Sequence, residues 1–483
     1  MNTDDVVRSV DRHADMLVDI ATRIWQKPEL GLLEFSASRL QAEALRAEGF
    51  TVEQGIGGMA TAFVATWGEG GPTVGMLGEF DALPALSQDA VAERRPVAEG
   101  QPGHGCGHNL LGTAALGAAI ALKEALSAQG VPGTVKYFGC PAEESLNAKG
   151  FMIKAGAFEG TDLCFYFHPG PETAAGMSSC LATATATFTF HGVAAHAAHN
   201  PERGRSALDA VELMNVGVNY LREHVPPDVR IHYQVTNGGG APNVVPDLAA
   251  SLYFVRAATR PNVESAYARV VDCAEGAARM TGTRVEVRLT DGLWNILPSR
   301  AAALALADAM DALGPVPFDA QDRAFAAALQ ASCDKEAVAE ARARYRAFGE
   351  RAPADDDPLV SRSLGLAGEG TYGFYSTDAS DVSRVVPTGF LSVATAPIGT
   401  PGHSWQNVAA AGSRVGMKGM LYAARTMAAA GLAVIREPAR LDAARSDFEA
   451  AMAESPYRLP VPELVPPPHV PADAPWRATQ AVR

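Results

Sequence analysis

Thr73–Asp81 reads TVGMLGEFD. The run is short and apolar, does not alternate, and ends on an acid, so it reads as a buried strand that delivers a carboxylate to its end. Its neighbours fit a layered α/β arrangement. DDVVRSVDRHADMLVDIATRIWQKPEL (4–30) has helical apolar spacing, ASRLQAEALRAEGF (37–50) reads as a second helix stopped at Gly49, and TAFVATWG (61–68) reads as a strand. LLGTAALGAAIALKEAL (110–126) is a small-residue helix, and GTVKYFGCPAEE (133–144) and DLCFYFHPG (162–170) are strands running into loops. This order predicts a mostly parallel sheet. Ligands of such sheets collect beyond the carboxyl ends of the strands. Asp81, Glu143, Glu144 and His168 are expected there.

The pattern changes near residue 181. LATATATFTFHG (181–192) alternates, as a strand with one exposed face does, and a clear helix follows at 204–225. Three more strands, at 228–239, 247–258 and 283–292, enclose a helix at 263–282. The order β-α-β-β-α-β belongs to a ferredoxin-like sandwich. The expected organisation is a catalytic domain whose first part is 1–183, an inserted lid and dimerisation domain at 184–295, and the rest of the catalytic domain at 296–457. That last part contains a charged helical insertion at about 316–368, and a Pro-rich, extended tail covers 458–483.

The length of 483 residues allows two or more domains, and 47% apolar with 19% charged residues is ordinary for a globular enzyme. A net charge of −14 argues against a nucleic-acid partner, because phosphate binding needs a basic face. No uninterrupted apolar run of membrane-spanning length is read, and the N-terminus lacks a signal-peptide core, so no membrane partner and a cytoplasmic location are expected. Six scattered cysteines read as reduced thiols, which leaves Cys106 free to act as a thiolate ligand.

Four segments carry chemistry: GCGH (105–108), PAEE (141–144), FHPG (167–170) and PGHSWQ (401–406). They offer Cys106, His108, Glu143, Glu144, His168 and His403. Thiolate, imidazole and carboxylate together suit a borderline divalent ion such as zinc or manganese. Cys-x-His on an extended turn is expected to point both side chains one way. Of the adjacent glutamates, one binds metal and the other acts as general base and then acid, which is metal-assisted amide hydrolysis. Two alternatives stay open: a thiol hydrolase using Cys106 with His108, and a non-catalytic binding or partner protein on the same fold.

LGEFDALPALSQ (77–88), GHGCGHNLLG (103–112), CPAEE (140–144), STDASDVSRVVPT (376–388) and GHSWQNVAAAG (402–412) resemble, in order, the di-metal amidohydrolases. That family includes glutamate carboxypeptidases, aminoacylases and amino-acid-conjugate hydrolases. The resemblance implies two divalent ions, zinc or manganese, held by Cys106, His108, Glu144, His168 and His403. It implies Glu143 as base and Asp81 as the carboxylate that orients a ligand. Glu79 stands where many relatives have a ligand histidine, and it is not counted as a ligand. GVAAHAAHNPERGRSALDA (192–210) resembles the lid motif whose histidine, here His196, reaches a neighbouring subunit's site and donates to the oxyanion. Asn243 and Arg256 resemble the pair that grips the substrate carboxylate; the alternative for Arg256 is a salt bridge within the lid sheet. Asp378 and Asp381 are expected along the cleft, and His104 beside the ligands. The implied substrate is a small N-acyl or N-aroyl amino acid, p-aminobenzoyl-glutamate above others, with other N-acyl-amino acids or dipeptides, such as conjugates of the indole-acetyl-aspartate type, as the alternative. The implied assembly is a homodimer, or a heteromer with a homologous A-type subunit.

Overall fold

The structure is a computed structural model that describes residues 3–461. Most of the expected Pro-rich tail lies outside the described residues. The strands are β1 (Thr51–Gln54), β2 (Phe63–Trp67), β3 (Thr73–Glu79), β4 (Thr134–Cys140), β5 (Leu163–Gly170), β6 (Ala174–Gly176), β7 (Ala182–His191), β8 (Arg230–Asn237), β9 (Leu248–Ala257), β10 (Arg284–Leu293), β11 (Leu366–Ala367) and β12 (Thr388–Ala394).

Eight strands form one sheet in the order β1-β2-β4-β3-β5-β12-β6-β11. The central run β4-β3-β5-β12 is parallel throughout, so its carboxyl ends share one rim. β1 and β2 flank it antiparallel, and β6 runs antiparallel to β12. All of β3 is buried, as the continuous apolar reading of Thr73–Glu79 requires. The short strands β1, β6 and β11 carry too few residues for a sequence period to show.

The helices His108–Gln129 and Arg414–Arg436 pack on each other and on this sheet, and Asp4–Gln26 packs on both of them. The helix His108–Gln129 does have the length and apolarity of a membrane span, which corrects the sequence reading. It is buried along nearly its whole length, so its apolarity serves the core. Small residues permit that depth: a Cβ added at Gly112 would fall on the Glu79 carbonyl and the Gln41 amide.

Residues 182–293 make a second, antiparallel sheet in the order β10-β7-β9-β8. The helices Ala207–Leu221 and Arg260–Thr281 pack against it around a separate core that includes Phe188, Phe190, Val211, Tyr253 and Val270. The chain enters this layer after Leu181 and leaves it at Trp294. Asp381 braces the exit: it accepts hydrogen bonds from the Trp294 N–H at 3.2 Å and the Tyr457 hydroxyl at 2.9 Å.

This packing makes stability measurable at two points. Gly112→Ala should destabilise the protein by about 1–3 kcal/mol through overpacking, read as a lower denaturant midpoint with an unchanged slope. Burial pushes the Asp381 carboxyl up from 3.8 to about 7. Between those values the unfolded chain releases this proton while the folded chain keeps it, so the group's stabilising contribution is full in acid and is lost as pH rises through about 7. Asp381→Asn should flatten that part of the stability–pH curve in chemical denaturation.

Candidate metal centre

The rim of the parallel strands gathers the chemistry. β3 ends at Glu79 and leads into Asp81; β4 ends at Cys140 and turns through Ala142 into Glu143 and Glu144; β5 carries His168 near its end. The turn after β4 is tight, with Ala142 at φ 55°. Buried Glu34 holds it: one carboxylate oxygen accepts the Ala142 N–H at 2.8 Å and the other accepts the Thr61 hydroxyl at 3.1 Å. Burial, and then the nearby Asp81 charge, push the Glu34 carboxyl up to about 8.

Cys106 and His108 do not sit on an extended turn. Gly107 between them adopts φ 82°, and His108 is the first residue of the helix His108–Gln129. Their convergence therefore comes from a left-handed glycine at a helix start, where a Cβ-bearing residue would be strained.

Asp81 fixes one residue in each half of the site. Its Oδ1 accepts the His108 Nδ1–H at 2.8 Å, and its Oδ2 accepts the Glu144 backbone N–H at 3.0 Å. His108 Nε2 is left buried without a hydrogen-bond partner, as is Glu144 Oε1. His168 donates Nδ1–H to the Pro169 carbonyl at 2.8 Å, leaving Nε2 at 3.3 Å from Cys106 Sγ. His403 adopts φ 51° and donates its backbone N–H to Gly105 at 3.1 Å. Its Nε2 lies 3.3 Å from Glu144 Oε1.

Two donor groups result, Cys106–His108–His168 and Cys106–Glu144–His403, each with its ligand atoms within 4.8 Å of one another. Cys106 belongs to both, as a thiolate shared by two ions would. Burial pushes its thiol up to about 12. A nearby cation supplies the compensation a thiolate needs there. The orphaned imidazole nitrogen, the orphaned carboxylate oxygen and the soft sulfur all fit divalent ions. Glu143 stands beside this set, within 4.8 Å of Glu79 and His108. Burial, then the charges of Glu79 and Asp378, raise its carboxyl well above the ordinary range.

The remaining predicted residues lie elsewhere. His196 is exposed on the 182–293 layer and belongs to neither donor group. Its Nδ1 accepts the backbone N–H groups of Ala198 and His199 at 3.2 and 3.1 Å, which leaves the ring proton on Nε2. Asn243 is strapped beside it, its carbonyl accepting the Ala197 N–H at 3.0 Å. Arg256 stacks over the Phe254 ring at 4.2 Å, its Nε is buried without a partner, and no salt bridge to it occurs among the described residues. Asp378 faces Lys149, and Asp381 braces the exit from the second sheet rather than lining the donor set. His104 is buried, with Nε2 at 3.2 Å from the Ile24 carbonyl, and burial pushes its ring down to about 3.

Sequence reasoning missed three supports. Glu34 and Lys149 stand alone in their segments, with no spacing that marks them. The charged helices Ala320–Gln330 and Lys335–Arg346 buttress the loop that carries His403. Leu329 packs with Ala396, Ala409 and Ala410, and the Gln330 side chain donates to the Ile398 carbonyl at 2.8 Å.

A sequence profile of peptidase family M20/M25/M40 matches residues 75–430. The chain is 39% identical over 473 residues to the B-type subunit of p-aminobenzoyl-glutamate hydrolase from Escherichia coli (strain K12), covering 95% of this chain and 97% of that protein. It is 29% identical over 464 residues to the Xaa-Arg dipeptidase of Mus musculus, covering 92% and 91%. A dinuclear metal-binding peptidase of the M20 family from Bacillus subtilis shares the fold, with a TM-score of 0.55 at 15% identity over 86% of this chain and 98% of that one.

Asp81→Asn should weaken divalent-ion binding by about 10–100-fold, because the carboxylate that sets the His108 tautomer is lost. Competition against a chromogenic chelator measures it, and unchanged affinity would show that Asp81 orients nothing.

Proposed function

The chain belongs to peptidase family M20/M25/M40, and from that premise we propose that it hydrolyses the amide bond of an N-acyl or N-aroyl amino acid. The proposed substrate is p-aminobenzoyl-glutamate, cleaved to p-aminobenzoate and glutamate. The observation that carries the reading is the meeting of two donor groups at Cys106 with the carboxyl group of Glu143 beside them. Cys106, His108 and His168 would hold one divalent ion, and Cys106, Glu144 and His403 the other. Such ions, when bound, polarise a carbonyl and acidify water.

The protein's own groups do the rest. Glu143 takes the proton of the attacking water and passes it to the leaving amine nitrogen. Asp81 holds His108 in the tautomer that presents Nε2, and a thiol nucleophile at Cys106 is disfavoured because burial raises that group instead of lowering it. Arg256, with no competing carboxylate, is free to fork onto the substrate α-carboxylate with Asn243 assisting. Zinc and manganese both suit the ligand set, the thiolate favouring zinc.

His196, exposed and with its proton on Nε2, is suited to donate to the oxyanion of a neighbouring subunit. The surface around it supports pairing of two lids. β8 is an edge strand, and the helix Ala207–Leu221 exposes Leu213, Val216 and Tyr220. A homodimer is the proposed assembly, with a homologous A-type subunit as the alternative partner.

Glu143→Gln should keep its metal and lose about 10²–10⁴-fold in turnover of p-aminobenzoyl-glutamate. A protein that only binds, or only assists a partner, would show no turnover in the metal-loaded wild type. A panel that adds indole-acetyl-aspartate and dipeptides ending in arginine fixes the acyl group and the amino acid. Equal mixing of Glu143→Gln and His196→Ala chains should restore about a quarter of wild-type activity, because half of the dimers then hold one intact site. No recovery after subunit exchange would place His196 outside the partner's site.

A further inference from the structure

Lys149 is fully buried at the start of the helix Ala148–Lys154, on the floor beneath the donor set. Its ammonium donates to Glu79 Oε1 at 2.6 Å and to the Asp378 carboxylate. Its backbone N–H also donates to Asp378, at 3.0 Å. The other Glu79 oxygen accepts the Tyr166 hydroxyl at 3.1 Å. Every donor that holds this floor is therefore aimed at a carboxylate outside the two donor groups.

Position alone would make Glu79 a ligand. It ends β3, two residues before Asp81, and its Oε2 is 3.4 Å from His108 Nε2, the nitrogen that Asp81 leaves free for metal. Glu79, His108 and Glu143 also fall within 4.8 Å of one another. Against this, both Glu79 oxygens are engaged by other donors, one of them a full positive charge. A charge-assisted bond from a buried ammonium is strong, and swinging Glu79 away would leave that ammonium partly unpaired.

We propose that Lys149 keeps Glu79 out of the metal shell. Asp378 anchors the ammonium from behind, and Tyr166 fixes the carboxylate plane. The Cys106–His108–His168 group is then spared a further anion, and an ion held there would keep more of its acidity, since ligand charge sets both affinity and Lewis strength. Lys149 is a positioning residue acting through Glu79. The inference rests on the metal-centre reading above.

The test compares full-length wild type, Glu79→Gln, Lys149→Met and the double variant, measuring zinc and manganese affinity by chelator competition alongside kcat and KM. Glu79→Gln is expected to keep wild-type affinity and ion stoichiometry. Lys149→Met should bind the ions at least roughly tenfold more tightly as Glu79 is released to the shell. Its kcat should fall while KM holds, and adding Glu79→Gln should return the affinity to that of wild type. A merely structural lysine would lower stability without tightening metal binding. Loss of an ion in Glu79→Gln, or unchanged or weaker binding in folded Lys149→Met, overturns the proposal. If Lys149→Met does not fold, the Glu79→Gln result decides alone. A wild type that binds no divalent ion would instead overturn the metal-centre reading itself.

Discussion

One carboxylate ties the two halves of the site together. Asp81 gives one oxygen to the His108 ring and the other to the backbone of Glu144, so the donor groups that meet at Cys106 are set by a single rigid plane. That plane sits just past the end of a strand buried along its whole length, which gives it almost no freedom to move. The candidate ligands come from four separated segments. Their convergence depends on the parallel strands ending together and on Asp81 bridging two of those ends.

A rim built this way concentrates carboxyl groups where water is excluded. Glu34, Glu79, Asp81 and Asp378 are all buried there, and each is held by named donors: Thr61 and the Ala142 backbone, Lys149 and Tyr166, His108 and the Glu144 backbone, and Lys149 again. Buried charges left unpaired are costly, so the pairing is what makes the arrangement compatible with folding. It also sorts the carboxylates by task. Those locked by internal donors shape the site, and Glu143 and Glu144 are the ones proposed to act in it.

The periphery follows the same logic. The charged helices between residues 320 and 346 look like a surface elaboration in sequence, yet they brace the loop that bends through His403 in a left-handed conformation. A histidine in that region of φ/ψ space is held only if its surroundings over-determine it. The second sheet contributes differently. It has its own core and joins the first at Leu181 and Trp294, and its His196 is exposed and belongs to neither donor group. That placement is why the proposed chemistry calls for a second subunit.

The chain order by itself determined the α/β class, the β-α-β-β-α-β order of the second sheet, the family resemblance and the candidate ligand motifs. Each of these is written locally, in apolar period, in glycine turns, or in residue types that metals select. Cys106, His108, Glu143, Glu144, His168 and His403 were legible as candidates because thiol, imidazole and carboxyl groups gather beside strand ends and glycine turns, and the resemblance then implied which of them would be ligands. Glu34, Lys149 and Tyr166 were not, because a lone Glu, Lys or Tyr carries no local sign of being buried against a distant partner. Tertiary structure alone decided that Gly107 supplies the convergence credited to an extended turn, that Asp381 braces the exit from the second sheet, and that Glu79 faces an ammonium. Those facts are set by contacts between segments tens to hundreds of residues apart, and no local spacing records which segments will meet.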